Sequence, residues 1–359
     1  MWIYWLLFLV PALAAIQEAH SHQQQQSGGK LRLNMPVEWW AMFPLLTVLI
    51  GWRHEVGGDW GNYLRNLQQS RYSSFGDIWS KSDPAYRFIE WIAVQAGWGI
   101  HAVNFMAATI FSFGLLWFCR HLARPWLALT ISVPYLVVVL GMGYSRQGVA
   151  LACVMIGIVA LNKSRNARFT FWTLLAAAFH KSSVVLIPFA GLAASRRRVN
   201  AIIWAAVATA VAYYLFLDDS IEQLRENYLE AKYQSEGAMI RLTMNIVPAV
   251  ILLSQWDRFS SLIESGRLWL LMAITSIIFM VLFTVSPSST AIDRLALYIL
   301  PLQIVVFSTL PDALSKTIKA NFSVSLIILY YAAVHFTWLN FAHHSQYWLP
   351  YKMYPFAVD

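Results

Sequence analysis

Charged residues are scarce in this 359-residue chain. They make up 12% of it, where an average soluble domain has roughly 25%, while hydrophobic residues make up 58% and the mean hydropathy is +0.52. Cysteine is also rare: Cys119 and Cys153 both lie in apolar runs, which indicates packing residues rather than a metal or redox site. The sequence has no DxD motif, so we expect no metal and no cofactor. This composition predicts an all-α polytopic membrane protein with a single integral membrane domain, residues 1–359.

Acidic residues are fewer than basic ones. The chain has 18 Asp and Glu for 26 Lys and Arg, which gives a formal net charge of +8. The basic residues are scattered at the ends of apolar runs instead of forming one block, as expected for cytoplasmic loops of membrane proteins. We therefore predict the lipid bilayer, and not nucleic acid, as a partner.

The apolar runs predict about ten membrane spans, with both termini outside the cell. The first could instead be a signal peptide cleaved near residue 14, but it lacks a basic start. No internal repeat is apparent, which argues mildly against transporters built from inverted repeats. The predicted spans are residues 1–16, 39–52, 101–118, 125–142, 148–161, 199–217, 242–256, 268–285, 295–310 and 322–341.

Three polar segments separate these spans. Residues 17–35 contain a glutamine tract and are predicted to form a flexible cytoplasmic loop. Residues 53–87 and 218–240 are predicted to be extracytoplasmic loops. Their mixture of aromatic, apolar and charged residues is typical of amphipathic helices that lie on the membrane surface.

An apolar stretch at residues 169–194 is interrupted by His180, Lys181 and two serines. Basic residues flank both ends, so the positive-inside rule places both ends in the cytoplasm. The stretch is too short for two full spans of about 20 residues each. We therefore predict a re-entrant pair of half-helices that meet near His180. Ionisable groups at membrane depth are costly and are kept mainly at functional sites.

Four arginines break the positive-inside rule, because each lies at the external mouth of a predicted span. They are Arg53, Arg146, Arg241 and Arg294. If these mouths converge, the arginines form an electropositive bowl suited to a diphosphate, whose oxygens a guanidinium binds bidentately. Gln147 and Lys181 are further candidates for binding it. Alternatively, each arginine reaches lipid headgroups or pairs with a carboxylate; for Arg294 the simplest partner is Asp293.

His180 is the first candidate for a general base, since an imidazole near neutrality can take a proton from a sugar hydroxyl. The alternative is a core histidine bound to a backbone carbonyl. Asp59 is a second candidate base, although an acid beside two glycines is often a turn residue. Trp60, Tyr63 and Trp79, in the first external loop, are candidates for stacking on sugar rings.

Five motifs in order, GWRHEVGGDWGNY, DPAYRFIEW, SRQGVA, AFHKSS and DRLALY, resemble the EpsG family of Wzy-type bacterial polysaccharide polymerases. The resemblance runs from about Gly51 to Tyr298, and Pro350 and Tyr351 extend it toward the C-terminus. It implies a GT-C-like architecture, similar to that of lipid-carrier-dependent glycosyltransferases and O-antigen ligases. The glutamine tract departs from the family pattern. The resemblance adds to the predicted roles of Arg53, Asp59, Arg146, Gln147, His180 and Arg294, whereas Arg241 rests on charge and position alone.

The resemblance implies elongation of exopolysaccharide, capsule or O-antigen chains on undecaprenyl diphosphate at the outer face of the bacterial inner membrane. We therefore expect a metal-independent glycosyltransferase whose site faces the periplasm. Its expected partners are an undecaprenyl-diphosphate-linked oligosaccharide, a flippase and a chain-length regulator. The alternatives are a flippase or transporter of lipid-linked oligosaccharide and a ligase that transfers the glycan once.

Overall fold

The computed structural model describes residues 1–25, 37–80, 82–163, 165–186, 237–285 and 289–357. Over these ranges the chain is almost entirely helical and contains no β-strand. The helices are α1 (Trp2–Gln25), α2 (Val37–Gly51), α3 (Trp60–Ser70), α4 (Phe75–Ser80), α5 (Pro84–Gln95), α6 (Ile100–Cys119), α7 (Pro125–Ser132, continued by a π-helix at Val133–Gly141), α8 (Ser145–Asn162), α9 (Asn166–Phe179), α10 (Ala238–Ser254), α11 (Trp256–Phe259), α12 (Gly266–Val285), α13 (Ser289–Ala296), α14 (Pro301–Ala313) and α15 (Ala320–Phe341).

The prediction of an all-α polytopic membrane protein is confirmed. Within the described ranges, six helical segments are long and apolar enough to cross a membrane: Trp2–Ser21, Ile100–Cys119, Ser145–Asn162, Gly266–Val285, Ile292–Ala313 and Ala320–Phe341. Four shorter apolar helices are Val37–Gly51, Pro125–Gly141, Ala167–Phe179 and Ala238–Ser254. Nine of these ten segments coincide with predicted spans, and the tenth, Ala167–Phe179, lies in the first half of the stretch predicted to be re-entrant. The predicted span at 199–217, most of the loop at 218–240 and residues 187–194 lie outside the described residues.

Helix α1 is longer than its hydropathy suggests. It continues to Gln25, so residues 17–25 are helical rather than part of the expected loop. The reason is a buried stripe at helical spacing, which runs from Tyr4 and Phe8 through Ala12 and Ala15 to Ala19. This stripe packs against α7 and α15, and the polar residues between its members hide it in the sequence.

Helix α8 is buried along most of its length. It packs closely against α6, where a Cβ atom on Gly114 would lie 2.7 Å from the carbonyl oxygen of Ala152, so that only glycine fits. Close packing on α6 and α9 gives the start of α8 a fixed position at one end of the bundle. Arg146 and Gln147 are the second and third residues of this helix.

The C-terminal tail folds back over the same end of the bundle. The backbone N–H of Gly57 donates a hydrogen bond to the carbonyl of Tyr347 at 2.8 Å. Trp348 is buried, and its Nε1 donates to the carbonyl of Val138 at 2.8 Å. The Trp348 ring fills the space beside Gly143, where a Cβ atom would lie 2.3 Å from it. The tail therefore braces the two loops that lead into α3 and α8.

Candidate functional site

A cavity of about 180 Å³ opens at the end of the bundle where α8 begins. Its walls come from segments far apart in sequence: the loop before α3, the π-helix after α7, the start of α8, the end of α9, the start of α10, and α13. The lining residues are Asp59, Tyr63, Tyr135, Tyr144, Arg146, Gln147, His180, Arg241, Asp293, Arg294 and Leu297. Seven of the eleven predicted site residues therefore meet at one cavity, and their chemical roles stay predictions.

Arg146 and His180 share one carboxylate, that of Asp83. Nη1 of Arg146 lies 3.1 Å from Oδ2 of Asp83, and Nδ1 of His180 lies 3.3 Å from the same oxygen. The backbone N–H of Lys181 donates to Oδ1 at 3.1 Å. Asp83 is buried, with 5% of its surface exposed. This carboxylate joins the loop before α5 to the start of α8 and the end of α9.

The backbone at Asp83 explains why its side chain reaches these partners. Asp83 precedes Pro84 and stands at the N-cap of α5, where an aspartate usually accepts a hydrogen bond from its own helix. Its φ of 60° and ψ of 52° are left-handed, and its side chain makes no capping hydrogen bond. The carboxylate is therefore used between helices and not within one. A non-glycine residue in this region is uncommon, and such residues cluster at functional sites.

The regular helical structure is interrupted at His180. Helix α9 ends at Phe179, His180 has extended backbone angles of −157° and 116°, and a 3₁₀ turn follows at Lys181–Leu186. In that turn, the Ser182 hydroxyl donates to Tyr298 Oη at 3.1 Å. The break thus turns His180 away from the α9 axis and ties the following turn to the segment after α13.

Arg146 and Gln147 bring donors to the start of α8, where the helix dipole favours anions. The Arg146 guanidinium lies 5.7 Å from the centre of the Tyr63 ring, and its backbone N–H donates to the Tyr63 hydroxyl at 3.4 Å. Gln147 is only 7% exposed, and its Nε2 has no hydrogen-bond partner among the described residues. A buried amide donor without a partner is costly, so Gln147 is suited to a ligand that accepts a hydrogen bond.

Arg241 forms a bidentate ion pair with Asp293. Its Nε lies 2.6 Å from Oδ1 and its Nη2 lies 2.5 Å from Oδ2. The sequence alone favoured Arg294 as the partner of Asp293, and Arg294 also lines the cavity. Because Arg146 and Arg241 are both paired with carboxylates, the cavity is less positive than the bowl expected from the sequence.

Asp59 and Asp83 lie in opposite electrostatic environments. Burial raises the pKa of Asp59 above its usual range, and the hydrogen bond from Asn62 and the charges of Arg146, Arg294 and His180 offset this only in part. Burial would also raise the pKa of Asp83. There, however, the hydrogen bond and charge of His180, the charge of Arg146 and the Lys181 N–H together hold the pKa below its usual range. Asp83 is therefore the more readily ionised of the two.

Arg53 does not line the cavity, although the sequence made it a candidate for binding diphosphate. It is 1% exposed, and its guanidinium donates to the carbonyls of Ile50 and Val56 and to the side chains of Asn104 and Ser145. These bonds tie the end of α2 to α6 and to the start of α8. The position of Arg53 thus favours a structural role beside Arg146, without contact to a ligand.

Three other predicted site residues also lie away from the cavity lining. Lys181 contributes its backbone N–H to Asp83. Trp60 packs on the imidazoles of His54 and His101, at 5.6 and 5.9 Å between ring centres. Trp79 is 62% exposed and belongs to an aromatic group on α4 and α5. Of the three aromatic candidates for sugar stacking, Tyr63 alone lines this cavity.

Sequence reasoning missed Asp83, Tyr135 and Tyr144 as site residues. Asp83 opens the motif DPAYRFIEW, but an aspartate before proline resembles an ordinary turn residue. Tyr135 interrupts an otherwise apolar run and lies in the π-helix. Because π-helical turns are rare and often occur at functional sites, a hydroxyl within that run was the available signal. Among the described residues, no group of three or more His, Cys, Asp or Glu could hold a metal ion.

Comparison with known proteins supports the resemblance seen in the five motifs. The model of the EpsG family matches residues 38–353. Comparisons with curated proteins and with solved structures give no significant match. The family match extends from α2 to the C-terminal tail and includes every residue that lines the cavity. This multi-pass membrane protein therefore belongs to the EpsG family.

Proposed function

We propose that the protein polymerises oligosaccharide repeat units carried on undecaprenyl diphosphate, by glycosyl transfer at this cavity. The observation that supports the proposal most directly is the position of His180, a candidate base, beside Arg146 and Gln147, two candidate anion ligands, at one cavity. Family membership favours the same reaction class. The growing glycan would be the donor, and a hydroxyl on the sugar of a new lipid-linked unit would be the acceptor.

The diphosphate of the donor would bind at the start of α8. Asp83 takes one of the five N–H donors of Arg146, whose side chain is 28% exposed, so other donors are available to phosphate oxygens. Gln147 and Arg294 line the same cavity. In the transfer step, negative charge builds on the leaving oxygen, and donors already in place would stabilise it.

The acceptor hydroxyl would lose its proton to His180, with Asp59 as the alternative base. As the hydroxyl oxygen bonds to the anomeric carbon, the bond from that carbon to the phosphate oxygen breaks, and undecaprenyl diphosphate departs with the electron pair. The leaving group is a stable anion and needs no proton from the protein. The tyrosines of the cavity, Tyr63, Tyr135 and Tyr144, would hold the sugars through their rings and hydroxyls.

We infer the side of the membrane that the cavity faces from the distribution of basic residues. At the far end of α8 from the cavity lie Arg120 and Lys163, and Arg124 pairs there with Asp312 at 2.6 Å. Basic residues concentrate in cytoplasmic loops, so this end would face the cytoplasm and the cavity would face the periplasm. A flippase would then supply lipid-linked units, and a chain-length regulator would act on the same product.

Reconstitution tests the proposal. The purified protein is placed in vesicles with undecaprenyl-diphosphate-linked repeat units, and the products are separated by size. We expect a ladder of lengthening glycans from the wild type and none from Arg146→Ala. A single transfer to another acceptor would indicate a ligase, and movement of the lipid between leaflets without a new bond would indicate a flippase. Either result would overturn the proposal.

A further inference from the structure

We infer that Asp83 is a positioning residue for His180: its carboxylate fixes the imidazole with Nδ1 bound and Nε2 left for the acceptor hydroxyl. This inference rests on the proposed function, because it specifies how the base of that reaction is oriented. It also changes the predicted site, in which His180 had no partner among the acids.

Geometrically, Asp83 holds His180 at two points. Oδ2 lies 3.3 Å from Nδ1 of the imidazole, and Oδ1 accepts the N–H of the next residue, Lys181, at 3.1 Å. The side chain and the backbone that follows it are therefore bound to the same carboxylate. The His180 backbone N–H still donates to the carbonyl of Ala176 on α9, but the backbone is extended at His180, so this double attachment sets the direction of the ring.

The charge state of Asp83 decides which group donates the hydrogen bond between Asp83 and His180. The low pKa of Asp83 means that its carboxylate is charged near neutral pH, so it accepts the hydrogen bond and Nδ1 carries the proton. A neutral imidazole with Nδ1 protonated has its lone pair on Nε2. That is the nitrogen able to receive the proton of the acceptor hydroxyl. The transfer would produce an imidazolium, which the Asp83 charge would stabilise.

The charges around His180 come from several segments. Asp83, before α5, contacts His180 directly and also binds Arg146, on α8. The other charged residues that line the same cavity are Asp59, Arg241, Asp293 and Arg294, and Lys181 is next in the chain. Asp83 is the carboxylate in direct contact with the imidazole, and Arg146 binds the same carboxylate oxygen, so removing the Asp83 charge should make protonation of His180 less favourable.

Chemical modification tests this inference without relying on catalysis. Diethyl pyrocarbonate reacts with unprotonated imidazole, and mass spectrometry of the His180 peptide gives the modification rate as a function of pH. We expect the midpoint to move to lower pH in Asp83→Asn, because the imidazolium loses the opposite charge that lies 3.3 Å away. Asp77→Asn, a change to an acid of α4 in the same external segment, is the matched control and should leave the midpoint in place.

Kinetics then separates a positioning role from a role in binding the donor. In Asp83→Asn, kcat should fall by about 10²- to 10⁴-fold, the usual contribution of a positioned base, while KM for the lipid-linked donor stays the same or falls, because Arg146 loses a competitor. The acid limb of the pH–rate profile should move to lower pH. Asp83→Glu, which keeps the charge, should recover part of the lost activity.

The possible results bear differently on the positioning role of Asp83 and on the proposed function. An unchanged modification midpoint in folded Asp83→Asn would overturn the positioning role, and so would a loss confined to KM. If Asp83→Asn does not fold, the same midpoint measured in Asp83→Glu decides, since the longer acid should keep it near the wild-type value and well above that of Asp83→Ser. If wild-type protein makes no polymer, the proposed function fails, but the modification profile still tests the pairing of Asp83 with His180.

Discussion

Arg241 and Asp293 face each other through two parallel hydrogen bonds of 2.6 and 2.5 Å at the edge of the cavity. One residue lies on α10 and the other on α13, so the pair joins two segments of the cavity wall. Both side chains are largely buried, with 18% and 11% exposed. An ion pair of this geometry both holds the wall in place and lowers the positive charge available to a ligand.

We predict that Arg241 and Asp293 are energetically coupled. Arg241→Ala and Asp293→Ala should each lower the free energy of unfolding by on the order of 2 kcal/mol, as for lost hydrogen bonds to charged groups. The double variant should lose less than the sum of the two, by about 1 kcal/mol or more. Reversible unfolding of the purified protein in mixed micelles measures all three values. Additive losses would show that the two side chains act independently.

Arg146 and Arg53 should respond differently to the same change. Both were candidates for diphosphate binding, but Arg53 is fully enclosed by carbonyl and side-chain acceptors, whereas Arg146 opens to the cavity. We predict that Arg53→Ala lowers the free energy of unfolding by roughly 3 kcal/mol, because buried acceptors lose a charged donor. Arg146→Ala should fold with a smaller loss and yet fail to make polymer.

Two measurements compare the arginine variants: the denaturant midpoint and polymerisation per folded molecule. If Arg53→Ala is as stable as the wild type but inactive, Arg53 contributes to ligand binding and not to stability. Arg146→Lys adds a finer test. It keeps the charge but loses the planar fork, so it should raise KM for the lipid-linked donor more than it lowers stability.

The contrast between these arginines shows what the sequence could and could not establish. Hydropathy and the positive-inside rule predict that both residues lie at external mouths of spans, and at that level they are equivalent. The difference lies in contacts to Asn104 and Ser145, on α6 and α8. These contacts depend on how helices distant in sequence pack, and no local pattern encodes that packing.

Asp83 illustrates the same limit for the site itself. His180 and Arg146 could be selected from the sequence because polar groups at membrane depth or at a span mouth are costly. Their common partner could not, since an aspartate before proline is usually a turn residue. Its role appears only when the left-handed backbone at Asp83 directs the carboxylate toward α8 and α9. Sequence reasoning thus identified the groups that stand out locally and missed the group that connects them.

The aromatic candidates for sugar binding also differ in whether they reach the cavity. Tyr63 lines the cavity and contacts Arg146, whereas Trp79 is exposed and packs on Phe75 at 6.1 Å between ring centres. We predict that Tyr63→Phe lowers the polymerisation rate several-fold, because the Arg146 backbone loses the hydroxyl that accepts its hydrogen bond. Trp79→Ala should keep the wild-type rate in the same assay. Loss of polymer length in Trp79→Ala alone would assign sugar binding to the α4–α5 surface.

The pKa of Asp59 is raised and that of Asp83 is lowered, and this difference predicts how the stability of variants at each position depends on pH. Since the pKa of Asp59 is raised in the folded protein, ionised Asp59 costs stability above that pKa, and the cost disappears below its ordinary pKa of 3.8. Asp59→Asn should therefore be more stable than the wild type at pH 7 and equal to it near pH 3. For Asp83, whose pKa is lowered, the sign reverses: its charge stabilises the fold above 3.8, and that contribution is lost as the pH falls through the lowered pKa.

Polymerisation rates of variants at His180 and Asp59 then show which of the two residues is the base. If His180 is the base, His180→Ala should lose about 10²- to 10⁴-fold in rate, while Asp59→Asn, although more stable, keeps a measurable rate and the wild-type acid limb. His121→Ala, a change at the opposite end of the bundle, where the imidazole contacts the carbonyl of Trp117 at 2.7 Å, is the control. A stable but inactive Asp59→Asn, combined with an active His180→Ala, would reverse the assignment and make the Asp59 carboxyl group the base, since its raised pKa suits that role.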